Sequence, residues 1–189
     1  MASIGIETWH NGVLYRSRGE AKWSVFLNHL GVKFEYETQG FNTDGSWYLP
    51  DFVIFAATGT IWAERKSSWE NDPEGVAKFR RFAAQRPQPS RAVLLLGEPS
   101  FEGEHLVIGG DESLGDPLRG PWEDDCQTWR PCPSGYHFDL AYPGKCRSRF
   151  AEDGCPPVPG NPGEDRIRAA VSAALSARFK YTPPPGTAA

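Results

Sequence analysis

The order of its periodic segments constrains this chain most. A segment with helical spacing, 17–30, is followed by three runs suited to strands, then a second helical segment, then further strand-type runs. Ser17-Arg18-Gly19-Glu20 has the Ser-X-X-Glu form of a capping box. Trp23, Phe26, Leu27 and Leu30 then recur on one side, and Gly31 ends the helix. Val13–Tyr15 reads as a short strand ahead of it. Val32–Glu37, Trp47–Phe55 and Thr60–Lys66 are rich in aromatic and β-branched residues and read as strands. Pro50 interrupts the second of these, Gly40–Ser46 is a polar turn region, and Gly59 marks the turn into the third. Asp72 suits the N-cap and Pro73 the first position of a helix reaching about Gln85. Arg91–Leu96 is a buried strand and His105–Ile108 one more. This order predicts an α/β sandwich with a mixed central sheet.

The chain has 189 residues and is 39% hydrophobic, enough for one domain and a small appendage. Many of its 20 glycines and 17 prolines fall after residue 83, so a compact first half and a loop-rich second half are expected. Four parts follow: a core over 1–108, a loop-rich cysteine segment over 109–162, an alanine-rich C-terminal helix within 163–181, and a proline-rich tail, 182–189, expected to be disordered. No run of about 18 apolar residues is present, so no membrane span is expected. The first residues lack a basic stretch followed by an apolar run, so no signal peptide is expected and a cytoplasmic location is. The net charge of −4 does not advertise a nucleic-acid binder. Its distribution is uneven: neutral over 1–100, −8 over 101–165 and +4 over 166–189.

The chemistry lies in Pro50-Asp51 and, after twelve intervening residues, Glu64-Arg65-Lys66. Residues two apart in a strand share a face, so Glu64 and Lys66 project together and Arg65 points away. The short connection makes the two strands hairpin partners and sets Asp51 beside Glu64. Two bare carboxylates at that separation repel each other. A hard divalent cation, Mg²⁺ or Mn²⁺, offsets this and binds both through oxygen. Such a cation acidifies bound water and polarises a phosphoryl oxygen. Lys66 beside it suits orienting that water or stabilising charge on phosphate. Charged residues set among Phe52, Val53, Ile54, Ile61, Trp62 and Ala63 need a partner or a metal.

Pro-Asp followed by Glu-X-Lys on successive apolar strands resembles the PD-(D/E)XK nuclease superfamily. Tyr15-Arg16-Ser17-Arg18-Gly19-Glu20-Ala21-Lys22-Trp23 is similar to the helix preceding the core in many bacterial and phage members, among them the endonuclease subunit of heteromeric bacterial transposases. The ending Ala173-Ala174-Leu175-Ser176-Ala177-Arg178-Phe179 resembles that of small actinobacterial and actinophage members. The resemblance covers 13–97 well and 163–180 loosely. It implies a restriction-endonuclease-like fold, a magnesium-dependent deoxyribonuclease, and a bacterial or phage-infected host cytosol. It also implies a catalytic set of Glu20, Asp51, Glu64 and Lys66, in which Asp51 and Glu64 hold the metal. Arg65 departs from the pattern, which often has a small or apolar residue there. Gly19 in the first helical turn is also unusual, costing about 1 kcal/mol against alanine.

Other readings of the same residues stay open. Glu20 can serve the capping box alone, and Glu64 with Lys66 can be a surface ion pair. A non-catalytic nucleic-acid or protein-binding module with the same fold is the alternative to an enzyme. The acidic 101–165 stretch also suits a phage-encoded interaction protein. Arg16, Arg18 and Lys22 surround Glu20 and are candidate DNA contacts, as are Lys78, Arg80 and Arg81 on the second helix. Cys126-X5-Cys132-X13-Cys146-X8-Cys155, with His137 among them, is a candidate structural zinc site. Two disulfides or free thiols are the alternatives, since the usual Cys-X2-Cys knuckle is absent.

Overall fold

The computed structural model describes residues 5–56, 59–68, 70–85, 90–100, 105–108, 126–131, 138–141 and 162–179. Within them the chain is mixed α/β, with three helices and a mixed seven-stranded sheet. A hairpin comes first, β1 (Thr8–His10) and β2 (Val13–Tyr15). Asn11 and Gly12 turn it with φ of 48° and 80°, the left-handed pair of a tight hairpin turn. Helix α1 (Arg18–Leu30) follows, with Ser17 as N-cap and Gly31 as C-cap. Strand β3 (Lys33–Tyr36) leads to a second hairpin, β4 (Phe41–Thr43) and β5 (Ser46–Tyr48). Then come β6 (Phe52–Ala56), β7 (Gly59–Lys66), α2 (Pro73–Gln85) and β8 (Ser90–Leu96). The remaining elements are β9 (His105–Ile108), β10 (Cys126–Pro131), β11 (Phe138–Ala141) and α3 (Pro162–Ser176).

The sheet runs β11-β10-β9-β8-β7-β6-β3, with β7 and β8 parallel and all other neighbours antiparallel. Strands β7 and β8 are parallel because α2 carries the chain back between them. Strand parity then divides the core. Phe52, Ile54, Ile61, Ala63, Val93 and Leu95 face α1 and α3, against Trp23, Phe26, Leu27, Ile167 and Ala170. Val53, Trp62, Ala92 and Leu94 face the other way, against Val76, Phe79 and Phe82 of α2. Phe41 and Tyr48 of the second hairpin cover that same face. Both sides of β6, β7 and β8 are thus covered, which is why these runs are almost wholly apolar.

Three local differences from the sequence reading have physical causes. Trp47–Phe55 is two strands rather than one, because Leu49-Pro50 breaks the ladder and lets the chain leave the β4–β5 hairpin for the sheet. The polar stretch from Gly40 is itself part of that hairpin, turned by Asp44 and Gly45 at φ 49° and 79°. Strands β10 and β11 lie inside the segment read as loop-rich and extend the sheet beyond β9. The proline-rich tail lies outside the described residues. Among the described residues no helix is long and apolar enough to cross a membrane.

The end of α1 offers a direct check. Gly31 sits at φ 72°, and its N–H and that of Val32 reach the Asn28 and Leu27 carbonyls at 3.0 Å. Alanine there is strained by its Cβ, so Gly31→Ala is expected to cost about 1 kcal/mol, read as a lower Tm in thermal denaturation.

Candidate functional site

Three carboxylates gather where β6 begins and β7 ends. Glu20, Asp51 and Glu64 are 7%, 5% and 9% exposed, so each charged form has lost most of its water. The β6–β7 register pairs Phe52 with Ala63, and continuing it sets Asp51 against Glu64. Strand parity sets Glu64 on the face of β7 that carries Trp62, the α2 side, while the Asp51 carboxylate lies at the strand end against the Arg65 N–H. Burial pushes the Asp51 carboxyl well above its ordinary pKa, and the nearby Glu64 and Glu20 carboxylates push it further. The Arg65 N–H, donated to Asp51 Oδ2 at 2.7 Å, and the Arg16 guanidinium only partly offset this.

Glu64 and Lys66 do share a face. Lys66 Nζ lies 3.1 Å from Glu64 Oε1 and 2.9 Å from Asp72 Oδ2. Burial alone would lower the Lys66 pKa, but Glu64 and Asp72 outweigh it and hold the ammonium above its ordinary value. The other Glu64 oxygen, Oε2, is buried without a hydrogen-bond partner. So is the hydroxyl of Tyr48. Burial and the Glu64 carboxylate together push that hydroxyl far above the usual phenol range. The two groups are near enough to interact, yet neither completes a bond of good geometry with the other.

Glu20 stands at the rim and its oxygens are already engaged. Oε1 accepts from Ser17 Oγ at 2.6 Å. Oε2 accepts from the Tyr36 hydroxyl at 2.5 Å and from the Arg16 N–H at 3.1 Å. Ser17 Oγ in turn accepts the Glu20 N–H at 3.2 Å, so the helix cap is made as the Ser-X-X-Glu pattern predicts. The returning bond differs, because Glu20 reaches the backbone of Arg16 rather than that of Ser17. Capping and a place beside the other carboxylates are therefore compatible roles.

The basic residues separate. Arg16 is paired with Glu37 and its guanidinium lies 3.8 Å from Asp51 Oδ1, so it borders the acids directly. Arg18 is exposed. Lys22 is bound to Glu98 at 2.6 Å and is turned to that partner. Lys78 on α2 lies 3.7 Å from Glu74, an exposed pair.

Arg65 and Gly19, the two departures in the sequence pattern, account for each other. Arg65 crosses to the opposite face of β7, and its guanidinium lies over the first turn of α1. A Cβ on Gly19 would stand 2.5 Å from Arg65 Cζ, closer than atoms allow. Arg65 Nε donates to the Gly97 carbonyl at 3.3 Å, so a backbone oxygen, rather than an acidic side chain, receives it.

Sequence reading missed Tyr36, Tyr48 and the second role of Asp72, beyond its helix cap. Tyr36 ends β3 and Tyr48 stands three before Asp51, but neither position marks a hydroxyl as site-directed. Cys132, Cys146, Cys155 and His137 lie outside the described residues, and Cys126 opens β10. Among the described residues no three His, Cys, Asp or Glu side chains form a single metal-holding group. No family model, curated protein or solved structure matches the chain.

Proposed function

We propose that this chain is a metal-dependent nuclease that hydrolyses DNA phosphodiester bonds, on a restriction-endonuclease-like fold. The observation that carries the reading is Glu64 Oε2, buried and unpartnered beside a buried Asp51 that burial and its neighbours make a reluctant anion. The Tyr48 hydroxyl lies near Glu64 without completing a bond of good geometry, and two facing carboxylates suit a hard divalent cation. The residues present therefore fit Mg²⁺ or Mn²⁺, with Asp51 and Glu64 as its holders. Such an ion, when bound, acidifies water and draws charge from phosphate oxygens.

The remaining work falls to the chain itself. Lys66 presents an ammonium next to Glu64, where it can bind a phosphate oxygen or hold the attacking water. Glu20 adds negative potential at the rim and is kept in place by Ser17 and Tyr36. Arg16 stands where the phosphate flanking the scissile bond would pass. The sequence resemblance to PD-(D/E)XK nucleases supports the same four residues. A DNA partner and a structural zinc on the cysteine segment belong to this proposal.

A second reading, a non-catalytic binding module on the same fold, draws on one observation: the described residues bring no third ligand to Asp51 and Glu64. One experiment separates the two. The protein is mixed with labelled single- and double-stranded DNA with Mg²⁺, with Mn²⁺ and with EDTA, beside a calorimetric Mg²⁺ titration. The expected result is saturable Mg²⁺ binding and cleavage that stops with EDTA. Binding without cleavage would establish the second reading, and no binding would overturn the metal site.

A further inference from the structure

We infer that Asp72 is a positioning residue for Lys66, holding its ammonium on β7 from the N-terminus of α2. The assignment rests on the nuclease reading. Each Asp72 oxygen has its own task. Oδ1 accepts the Gly75 N–H at 2.9 Å and caps the helix. Oδ2 takes the Lys66 ammonium at 2.9 Å. The backbone carbonyl of Asp72 accepts from Val76 at 3.0 Å, so the residue is fixed by the helix it begins.

A lysine on a four-carbon stem is a poorly aimed charge when one carboxylate holds it. Glu64 alone would be a changeable partner, since a cation at the site would compete with Lys66 for it and a phosphate would compete with it for Lys66. Asp72 supplies a second anchor outside the carboxylate pair, so the ammonium is held between two oxygens 2.9 and 3.1 Å away. The cap makes this anchor stiff, because the carboxylate cannot turn from Lys66 without giving up Gly75.

Gly75 provides an independent observation. A Cβ at this position would collide with the Asp72 carboxylate, both oxygens included. Alanine is otherwise the better residue inside a helix. The absent side chain therefore leaves the space in which the Asp72 carboxylate can reach Gly75 and Lys66 together.

The test uses Asp72→Asn, because asparagine caps helices as well as aspartate does and removes only the charge facing Lys66. The expected result with Mg²⁺ and DNA is a fall in kcat of about 10-fold to 100-fold, with KM and Tm close to wild type. Gly75→Ala should lower kcat in the same way, despite the higher helix propensity of alanine. In a Lys66→Ala background, Asp72→Asn should change the residual rate no further. An equal fall in both backgrounds would mean that Asp72 acts on the rate independently of Lys66, and that result overturns the assignment. So does an Asp72→Asn enzyme within about twofold of the wild-type kcat, a change too small to assign. Wild-type protein that cuts no DNA overturns the nuclease reading and this assignment with it.

Discussion

Asp51→Asn is expected to reduce Mg²⁺-dependent cleavage by about 10³-fold or more, about 4 kcal/mol of barrier, while raising the Tm of the metal-free protein. The two effects have one origin. The Asp51 carboxyl is buried beside two other carboxylates and is held well above its ordinary pKa. A carboxyl with a raised folded-state pKa stabilises the fold below its unfolded pKa, and that contribution is lost as pH rises through the folded value. Above the unfolded pKa the cost of ionising Asp51, or of keeping it protonated, therefore works against the fold, and asparagine removes that cost. Asparagine also keeps an oxygen for the Arg65 N–H, which alanine would leave unsatisfied at about 1–3 kcal/mol. The gain in Tm should be small near pH 4 and grow as pH rises, measured by calorimetry with EDTA present. The same competition between proton and cation is expected to make the Mg²⁺ affinity of the wild type, read by calorimetric titration, fall as pH is lowered. An Asp51→Asn protein that cuts normally would remove Asp51 from the metal site.

Lys66→Ala is expected to lose about 10²–10³ in cleavage rate while still binding Mg²⁺ and DNA. An ammonium is not a metal ligand, and Asp51 and Glu64 remain. Removing a cation 3.1 Å from Glu64 leaves the acids less neutralised, so Mg²⁺ should bind at least as tightly as in wild type. A plain ion pair predicts a small stability change and an unchanged rate. Calorimetric titration beside single-turnover cleavage distinguishes the two. Normal cutting by the variant rules out a role in the chemical step, and lost Mg²⁺ binding makes Lys66 an organiser of the carboxylates.

The parts legible in the sequence were those written in local rules. Ser17, Gly31, Asp72 and Pro73 set the limits of α1 and of the start of α2, since capping depends on neighbours in the chain. Strand parity put Glu64 and Lys66 on one face, and a short connection made β6 and β7 antiparallel. Features that depend on tertiary approach were not legible. Tyr36 meets Glu20 only because β3 lies beside β6 and brings its hydroxyl under α1. Arg65 and Gly19 each looked irregular alone, and only their contact gives either a reason. Strand β1 is three residues long, too short to show a period, although Asn11-Gly12 is a hairpin signal. Strand β11 pairs with β10 only six residues away and β10 joins the sheet through β9, but a Gly/Pro-rich stretch carries no local mark of either pairing.

The way the β6–β7 ladder stops has a further consequence. Continued past Asp51, the register would oppose Pro50 to Arg65, and proline has no N–H to donate to the Arg65 carbonyl, so the ladder does not extend to this pair. Arg65 donates instead to the Asp51 side chain, which stands in for a backbone carbonyl. The sheet thus ends in a fork whose crotch is tied by an acid. Were Pro50 an ordinary residue, the two strands could zip one step further and bring backbone across the mouth of the carboxylates. The last tie between these strands is therefore a side chain rather than backbone, and a substitution at Asp51 would loosen the end of the ladder as well as alter the charge there.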